Sequence, residues 1–226
     1  MKKIYQLAGL IGLFALSLNL VWTQKKWAAP DKELRYWLDA RHNNTETLTF
    51  LREPKKEIKG KFITLKLFDR SHWNDYKKAF SYDIADQFFA TSCGENRDIE
   101  AYLRHAWLNQ RYRRWLIYSG FDTKTGAFSG VIELRGSPKG PLLSGWAKKS
   151  HQGIGASKET IELSTREFFE VTNIAKITAE VAPDNVRCQY FLIKNDFSFS
   201  HIDSENKNNS VFMLKSPALK RQFRQI

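Results

Sequence analysis

Apolar and polar positions in Phe62–Phe68 alternate with a period of two, which predicts a strand. The period then lengthens. Asp69–Ser81 reads as a helix with Ser71 as its cap, and Asp98–Arg113 as a second helix carrying Ile99, Leu103 and Trp107 on one stripe. Trp115–Phe121 and Ala127–Leu134 predict two strands around the loop 122–126, whose glycine comes late. From Leu143 the chain reads as a strand, a glycine-bearing turn and a helix running to Val171. Lys176–Val181 predicts a further strand and Asp184–Asn195 a short helix. Phe197–His201 and Val211–Lys215 read as closing strands, joined by the Asn- and Ser-rich loop 202–210. The order predicts an α+β chain, a mixed sheet with helices on its faces. No internal repeat is visible.

Upstream of this region the pattern changes. Lys2 and Lys3 precede an uncharged run from Ile4 to Gln24, the form of a signal peptide or a single membrane-spanning helix. Lys25, Lys26, Lys32, Arg35 and Arg41 follow it, so an uncleaved helix is expected to leave the folded part in the cytoplasm. An uncleaved anchor is favoured over export after signal cleavage, because Thr23–Lys26 makes a poor cleavage site. Residues 25–57 read as a helical and linker arm. In it Asp31–Arg41 has helical spacing and Pro54 interrupts a polar stretch. The expected domains are therefore 1–24, 25–57, a folded domain over 58–216 and a basic tail at 217–226.

Charge narrows the partners. The 226 residues carry a formal net charge of +12, which favours a polyanionic ligand: a nucleotide cofactor, nucleic acid or an anionic membrane. The basic residues are dispersed, which equally suits a solvated surface. Two cysteines, Cys93 and Cys188, form no disulfide framework, and the five histidines show no metal-ligand spacing. No metal is expected.

The junction at Leu143–Ile161 carries the most chemistry. A strand-to-helix turn leaves backbone N–H groups unpaired at the positive end of the helix dipole. Gly153 and Gly155 have no Cβ, so a phosphate can approach the backbone closely. A pyrophosphate-bearing ligand is the expectation. A tight turn with no ligand is the simpler alternative.

The sequence Gln152-Gly153-Ile154-Gly155-Ala156-Ser157 resembles the Gln/Arg-x-x-Gly-x-Gly/Ala cofactor motif of the GNAT superfamily of acyl-CoA N-acyltransferases. Ser157 stands in place of the final Gly or Ala, and Glu159 matches a glutamate usual in the branch that includes the ribosomal-protein alanine N-acetyltransferases. A second block, Ile177–Phe197, resembles another segment of that family, with Asn185, Lys194 and Phe197 in matching positions. There Cys188 replaces a usual Ser and Asp196 a usual Gly. The resemblance spans residues 60–216.

It implies a mainly antiparallel mixed sheet, splayed at the cofactor strand, with helices on both faces. It also implies acetyl-CoA as co-substrate and direct acetyl transfer to a primary amine: a protein N-terminus, a lysine or a small amine. Cofactor contacts are expected from the strand Trp146, Ala147 and Lys148, from Gln152, Gly153, Ile154, Gly155, Ala156 and Ser157, and from Asn185. An N–H near Ala147 is the expected oxyanion donor. Lys148, Lys149 and Arg187 are candidates for charge against the phosphates, or ordinary surface cations.

The attacking amine must lose a proton. Glu133 is the first candidate base, unless strand alternation turns it to solvent, and Asp83 and Glu100 are loop-borne alternatives. Cys188 is the candidate acid for the leaving thiolate, or a buried small hydrophobe. Leu192 stands where other branches carry an acidic Tyr. The departures at Ser157, Cys188 and Asp196 keep open a module that binds CoA or an anionic partner without turnover. Arg104–Trp115 mixes aromatics and arginines, which suits either RNA contact or one buried stripe with a basic outer face. Nucleic acid is the less expected partner.

Overall fold

A computed structural model describes residues 48–79, 99–137, 140–152, 155–204 and 208–217. In chain order these hold β1 (Glu57–Lys59), β2 (Ile63–Leu67), α1 (Trp73–Ala79), α2 (Ile99–Arg111), β3 (Trp115–Asp122) and β4 (Phe128–Arg135). They continue with β5 (Leu142–Ala147), α3 (Ala156–Val171), β6 (Lys176–Val181), α4 (Val186–Lys194), β7 (Ser198–Asp203) and β8 (Asn209–Lys215). One eight-stranded sheet runs β1-β2-β3-β4-β5-β6-β8-β7, as the mixed fold predicts. Every neighbouring pair is antiparallel except β5 and β6.

Alternation along the central strands divides the sheet into two faces. On one face Leu116 and Tyr118 of β3, Ile132 and Leu134 of β4, and Leu143 of β5 join Phe168 and Val171 of α3 in a single core. That core continues through Ile177, Ala179 and Val181 of β6 to Leu192 of α4 and Phe212 of β8. Completely buried Tyr118 and Phe168 each contribute about 1.5–3 kcal/mol relative to an exposed ring. The opposite face is aromatic and partly polar. His105 of α2 meets Trp115 of β3 edge-on with ring centroids 5.1 Å apart, and Tyr76 of α1 meets Trp146 of β5, also at 5.1 Å. Both strands of the central hairpin are thus buried on their two faces.

The ends of several elements differ from the sequence reading. The cap before α1 is Asp69, not Ser71. Its side chain accepts from the Ser71 N–H (2.9 Å) and opens a tight turn at Arg70–His72 that runs into α1. β1 begins at Glu57, the last residue of the polar stretch 52–57, which gives no strand signal. Just upstream, Phe50 bridges to Thr172, and the Lys55 N–H donates to the Glu167 carboxylate (2.9 Å). Glu167 is almost fully buried and also receives the Lys55 ammonium at 2.9 Å, which raises the Lys55 pKa.

Among the described residues no helix is long and apolar enough to cross a bilayer. The longest, α3, carries charges along its outer side (Lys158, Glu162, Arg166). This corrects the expectation of a membrane-spanning helix and, with it, of a membrane-anchored location. The run 4–24 itself lies outside the described residues, as do the helix expected at 31–41, the irregular stretch 82–96 and most of the basic tail.

α4 ends on a left-handed residue. Asp196 has φ 66, and the Phe197 N–H returns to the Leu192 carbonyl (3.1 Å). This position favours glycine, and aspartate tolerates it better than most side chains. Asp196→Gly is expected to stabilise the fold by about 0.5 kcal/mol through relief of that backbone strain. Urea denaturation reads the difference, and an unchanged or lowered midpoint contradicts it.

Candidate functional site

β5 pairs with β4 over its whole length, from Arg135↔Leu142 to Gly130↔Ala147. With β6 it forms a single register pair, Leu142↔Thr178, and then parts from it. The Thr178 N–H and hydroxyl both bond the Pro141 carbonyl at 2.9 Å, so that carbonyl faces β6. At the other end the Lys148 N–H donates to the Ser129 carbonyl at 2.7 Å and therefore faces β4. Because backbone groups alternate along a strand, the N–H and C=O groups of Leu143, Gly145 and Ala147 point away from β4. The single parallel pair engages the Leu143 N–H, so from the Leu143 carbonyl onward no strand among the described residues meets this edge.

The far end of β5 is held by close contact with β4. Gly120↔Gly130 is followed by Phe121↔Phe128, so Ser129 bulges from the ladder. A Cβ on Gly130 would lie 2.2 Å from the Trp146 carbonyl oxygen, so only glycine lets β5 approach this closely.

Beyond β5 the chain turns through Lys149–His151, and Gln152 donates its side-chain amide to the Ala147 carbonyl at 3.0 Å. Gly155 occupies the N-cap of α3 with φ 90 and, as glycine, offers no side-chain cap to the first amides of the helix. Its missing Cβ is needed twice, for the left-handed conformation and because a Cβ would sit 3.3 Å from the Phe62 ring. Gly153 and Ile154 lie outside the described residues. Ala156 is buried against the core, while Ser157 is half-buried in the first turn.

Glu159 sets the position of that turn. Its carboxylate accepts from three consecutive amides, those of Lys61 (2.7 Å), Phe62 (2.7 Å) and Ile63 (2.8 Å). A Cβ on Gly60 would come within 2.6 Å of the same carboxylate. The β1–β2 turn is thereby fastened beside the start of α3, with Phe62 over Gly155. The sequence matched Glu159 to a family position without revealing this partner, which is 97 residues away along the chain.

Glu133 points inward, not to solvent. It is completely buried on the α2 face of β4. The Tyr102 hydroxyl of α2 donates to its Oε1 at 2.9 Å and the Ser144 hydroxyl of β5 donates to the same oxygen at 3.0 Å. An Arg135 Nη2 lies 3.9 Å from that oxygen and donates to the Ser144 hydroxyl oxygen at 2.6 Å. Oε2 is buried and has no hydrogen-bond partner. Of the alternative bases, Glu100 stands exposed on α2, where Arg104 and Lys77 pair with it and lower its pKa. Asp83 lies outside the described residues.

Cys188 lies on the first turn of α4, partly buried against the core, and burial pushes its thiol pKa up. The Asn185 side chain caps that helix by accepting from the Cys188 N–H at 3.1 Å. The site residues therefore stand on elements flanking β5, with Glu133 on β4 and Cys188 just past β6. Lys148 is half-buried, while Lys149 and Arg187 are exposed. In the Arg104–Trp115 stretch Ala106, Asn109 and Trp115 are buried, whereas Arg104 and Arg111 are exposed. The Arg111 guanidinium stacks on Trp107, 4.9 Å from its centroid. This is the pattern of a packed stripe with a basic outer side. Among the described residues no group of His, Cys, Asp or Glu could hold a metal ion.

An acetyltransferase (GNAT) domain family model matches residues 63–198, more than half of the chain. Solved structures with the same fold include a putative ribosomal-protein-serine acetyltransferase from Vibrio cholerae, at 15% identity and TM-score 0.57, covering 73% of this chain and 100% of that one. A probable GNAT-family acetyltransferase from Chromobacterium violaceum matches at 14% identity and TM-score 0.60, covering 74% of this chain and 89% of that one. The RimL ribosomal-protein alpha-N-acetyltransferase in complex with coenzyme A matches at 14% identity and TM-score 0.59, covering 72% and 99%. No curated protein sequence matches the chain.

His72, beside the aromatic face, sets a pH dependence. Its Nδ1 lies 3.1 Å from the Ser119 hydroxyl, and its ring packs on Phe121 at 5.1 Å. Burial lowers its pKa below the ordinary 6.5, with Lys66 adding to the shift and Asp69 opposing it. The stability from this neutral histidine is complete above the unfolded-state value and is lost as pH falls from there through the folded value. The thermal midpoint is therefore expected to drop between about pH 7.5 and about pH 5.5, and His72→Gln to flatten the drop. Equal drops in both proteins would refute the role.

Proposed function

This chain belongs to the GNAT acetyltransferase family and is an acetyl-CoA-dependent N-acetyltransferase; on that premise we propose that it acetylates a primary amine by direct attack, with the machinery arranged around β5. The acceptor class comprises protein N-termini, lysines and small amines. The ribosomal-protein acetyltransferases that share the fold act on proteins, and that supports placing a protein α-amine first in any panel.

The parting of β5 from β6 after one register pair carries this reading. It leaves the Leu143 carbonyl, both backbone groups of Gly145 and the Ala147 N–H on an open edge, where the amides of a pantetheine arm find partners in the manner of an added strand. The side-chain amide of Gln152 holds the turn that follows. Gly155 then supplies no side-chain cap to the first amides of α3, so they and the helix dipole suit a pyrophosphate. Ser157 is small enough to share that turn. Lys148, Lys149 and Arg187 add positive charge on the phosphate side.

Acetyl-CoA supplies the activated thioester carbonyl. Glu133 takes the proton of the attacking amine at Oε2, the oxygen left without a partner. The Ala147 N–H, on the open edge of β5, donates to the carbonyl oxygen as negative charge develops there. Cys188 delivers a proton to the departing thiolate. Its raised pKa keeps the thiol protonated at neutral pH, as an acid requires. Asn185 orients this residue through its helix cap and touches the chemistry only indirectly. The left-handed Asp196 absorbs one departure from the family pattern in the backbone.

Calorimetry with the full chain and coenzyme A is expected to show binding well below millimolar. Gly155→Val weakens it by at least about tenfold, because it adds a Cβ at positive φ and against Phe62. Glu133→Gln is expected to lower kcat by about 100-fold while leaving coenzyme A affinity intact. Thiol release with N-terminal peptides, lysine and polyamines reads the transfer. Wild-type protein with no measurable coenzyme A affinity would overturn the reading.

A further inference from the structure

The surroundings of Glu133 go beyond placing a base. We infer that Tyr102, Ser144 and Arg135 form a positioning set that fixes the Glu133 carboxylate by one oxygen and commits the other to the acceptor amine; the inference rests on the reading of Glu133 as the base. A carboxylate oxygen accepts two hydrogen bonds readily. Here Oε1 receives both hydroxyls, Tyr102 at 2.9 Å and Ser144 at 3.0 Å. These donors come from different elements, α2 and β5, so together they settle the carboxylate's rotation. Arg135 acts one step further out, donating to the Ser144 hydroxyl oxygen (2.6 Å) and so directing that hydroxyl's proton toward Glu133. Its guanidinium is itself held over the Trp115 ring, 5.3 Å from the centroid.

Oε2 is the complement of this arrangement. A buried carboxylate oxygen without a donor is destabilising by the cost of its lost hydration, and a folded protein tolerates it where a donor arrives in use. An amine N–H is such a donor. During transfer the amine's proton moves to Oε2, the new N–C bond forms as the C–S bond breaks, and the thiolate leaves to be protonated.

Ser144 also links the two halves of the site. It stands on β5 opposite Glu133 of β4 and between Leu143 and Gly145, whose backbone groups face the open edge. The strand that offers its open edge to the ligand thus also carries the hydroxyl that holds the base. None of the three residues touches the reacting atoms, so they are positioning residues.

The test measures acetyl transfer by Tyr102→Phe, Ser144→Ala and Ser144→Thr, each alone and combined with Glu133→Gln. Coenzyme A binding and the thermal midpoint of every variant show that it is folded. Tyr102→Phe and Ser144→Ala are expected to lower kcat by about tenfold, with KM for acetyl-CoA changed by less than about twofold. Ser144→Thr, which keeps the hydroxyl, restores most of the rate. In the Glu133→Gln background neither change lowers the rate further, because both act through that carboxylate. Should Ser144→Ala fail to fold, Tyr102→Phe and its combination with Glu133→Gln decide alone. Losses that persist undiminished in the Glu133→Gln background, or that appear only in KM, overturn the positioning role. Full activity of Glu133→Gln overturns the base assignment beneath it, and turnover insensitive to Tyr102→Phe and Ser144→Ala overturns the positioning set while leaving that assignment standing.

Discussion

A β-strand presents hydrogen-bonding groups on both edges, and β5 is paired along its whole length on only one of them. Its pairing with β4 is complete, whereas its pairing with β6 stops at Leu142↔Thr178. Water can satisfy such an edge at a surface, but an exposed edge also invites an extended ligand. The rest of the site depends on keeping it open without letting β5 move. The bulge at Ser129, the close approach at Gly130 and the Lys148 bond to Ser129 hold β5 to β4. Gln152 then closes the turn from the same strand into α3.

That restraint would be of little use if α3 could shift, and two carboxylates on the helix prevent it. Glu159 in its first turn grips three amides of the β1–β2 turn, and Glu167, two turns on, is buried against Lys55 and its backbone N–H. Hydrogen bonds to an ionised acceptor are roughly twice as strong as neutral ones. The polar stretch before β2 thus becomes a strap along α3, while Phe168 and Val171 hold its inner side to the sheet. The two faces divide the labour: α3 and α4 build the hydrophobic core, and α1 and α2 bring Tyr76 and Tyr102 to the face that holds Glu133.

The three departures from the family pattern have separate structural consequences. Ser157 lies in the first turn of α3, where a small side chain leaves the backbone accessible. Asp196 takes up the left-handed end of α4, a role in which aspartate replaces glycine at modest cost. Cys188 packs as a small apolar group and keeps its proton, so the buried-hydrophobe and acid readings are compatible.

Element types were legible wherever side chains follow a period, as in β2, α2, the β3–β4 hairpin and β6, because burial on one face writes itself into the sequence. The glycine pair and the second block pointed to the family through local backbone requirements. Polar elements were not legible in the same way. β1, the Asp69 cap and the strap at 50–55 are held by partners distant in sequence, and nothing local distinguishes Lys55 from a solvated lysine. Alternation alone allowed Glu133 to face outward. Its burial follows from α2 covering that face and from Ser144 arriving beside it on β5. The sequence by itself determined which periodic segments become strands and helices and where the glycines before α3 fall. Only the tertiary structure decided which strand edge stays unpaired and which carboxylate oxygen stays unbonded, since both depend on what comes to lie alongside.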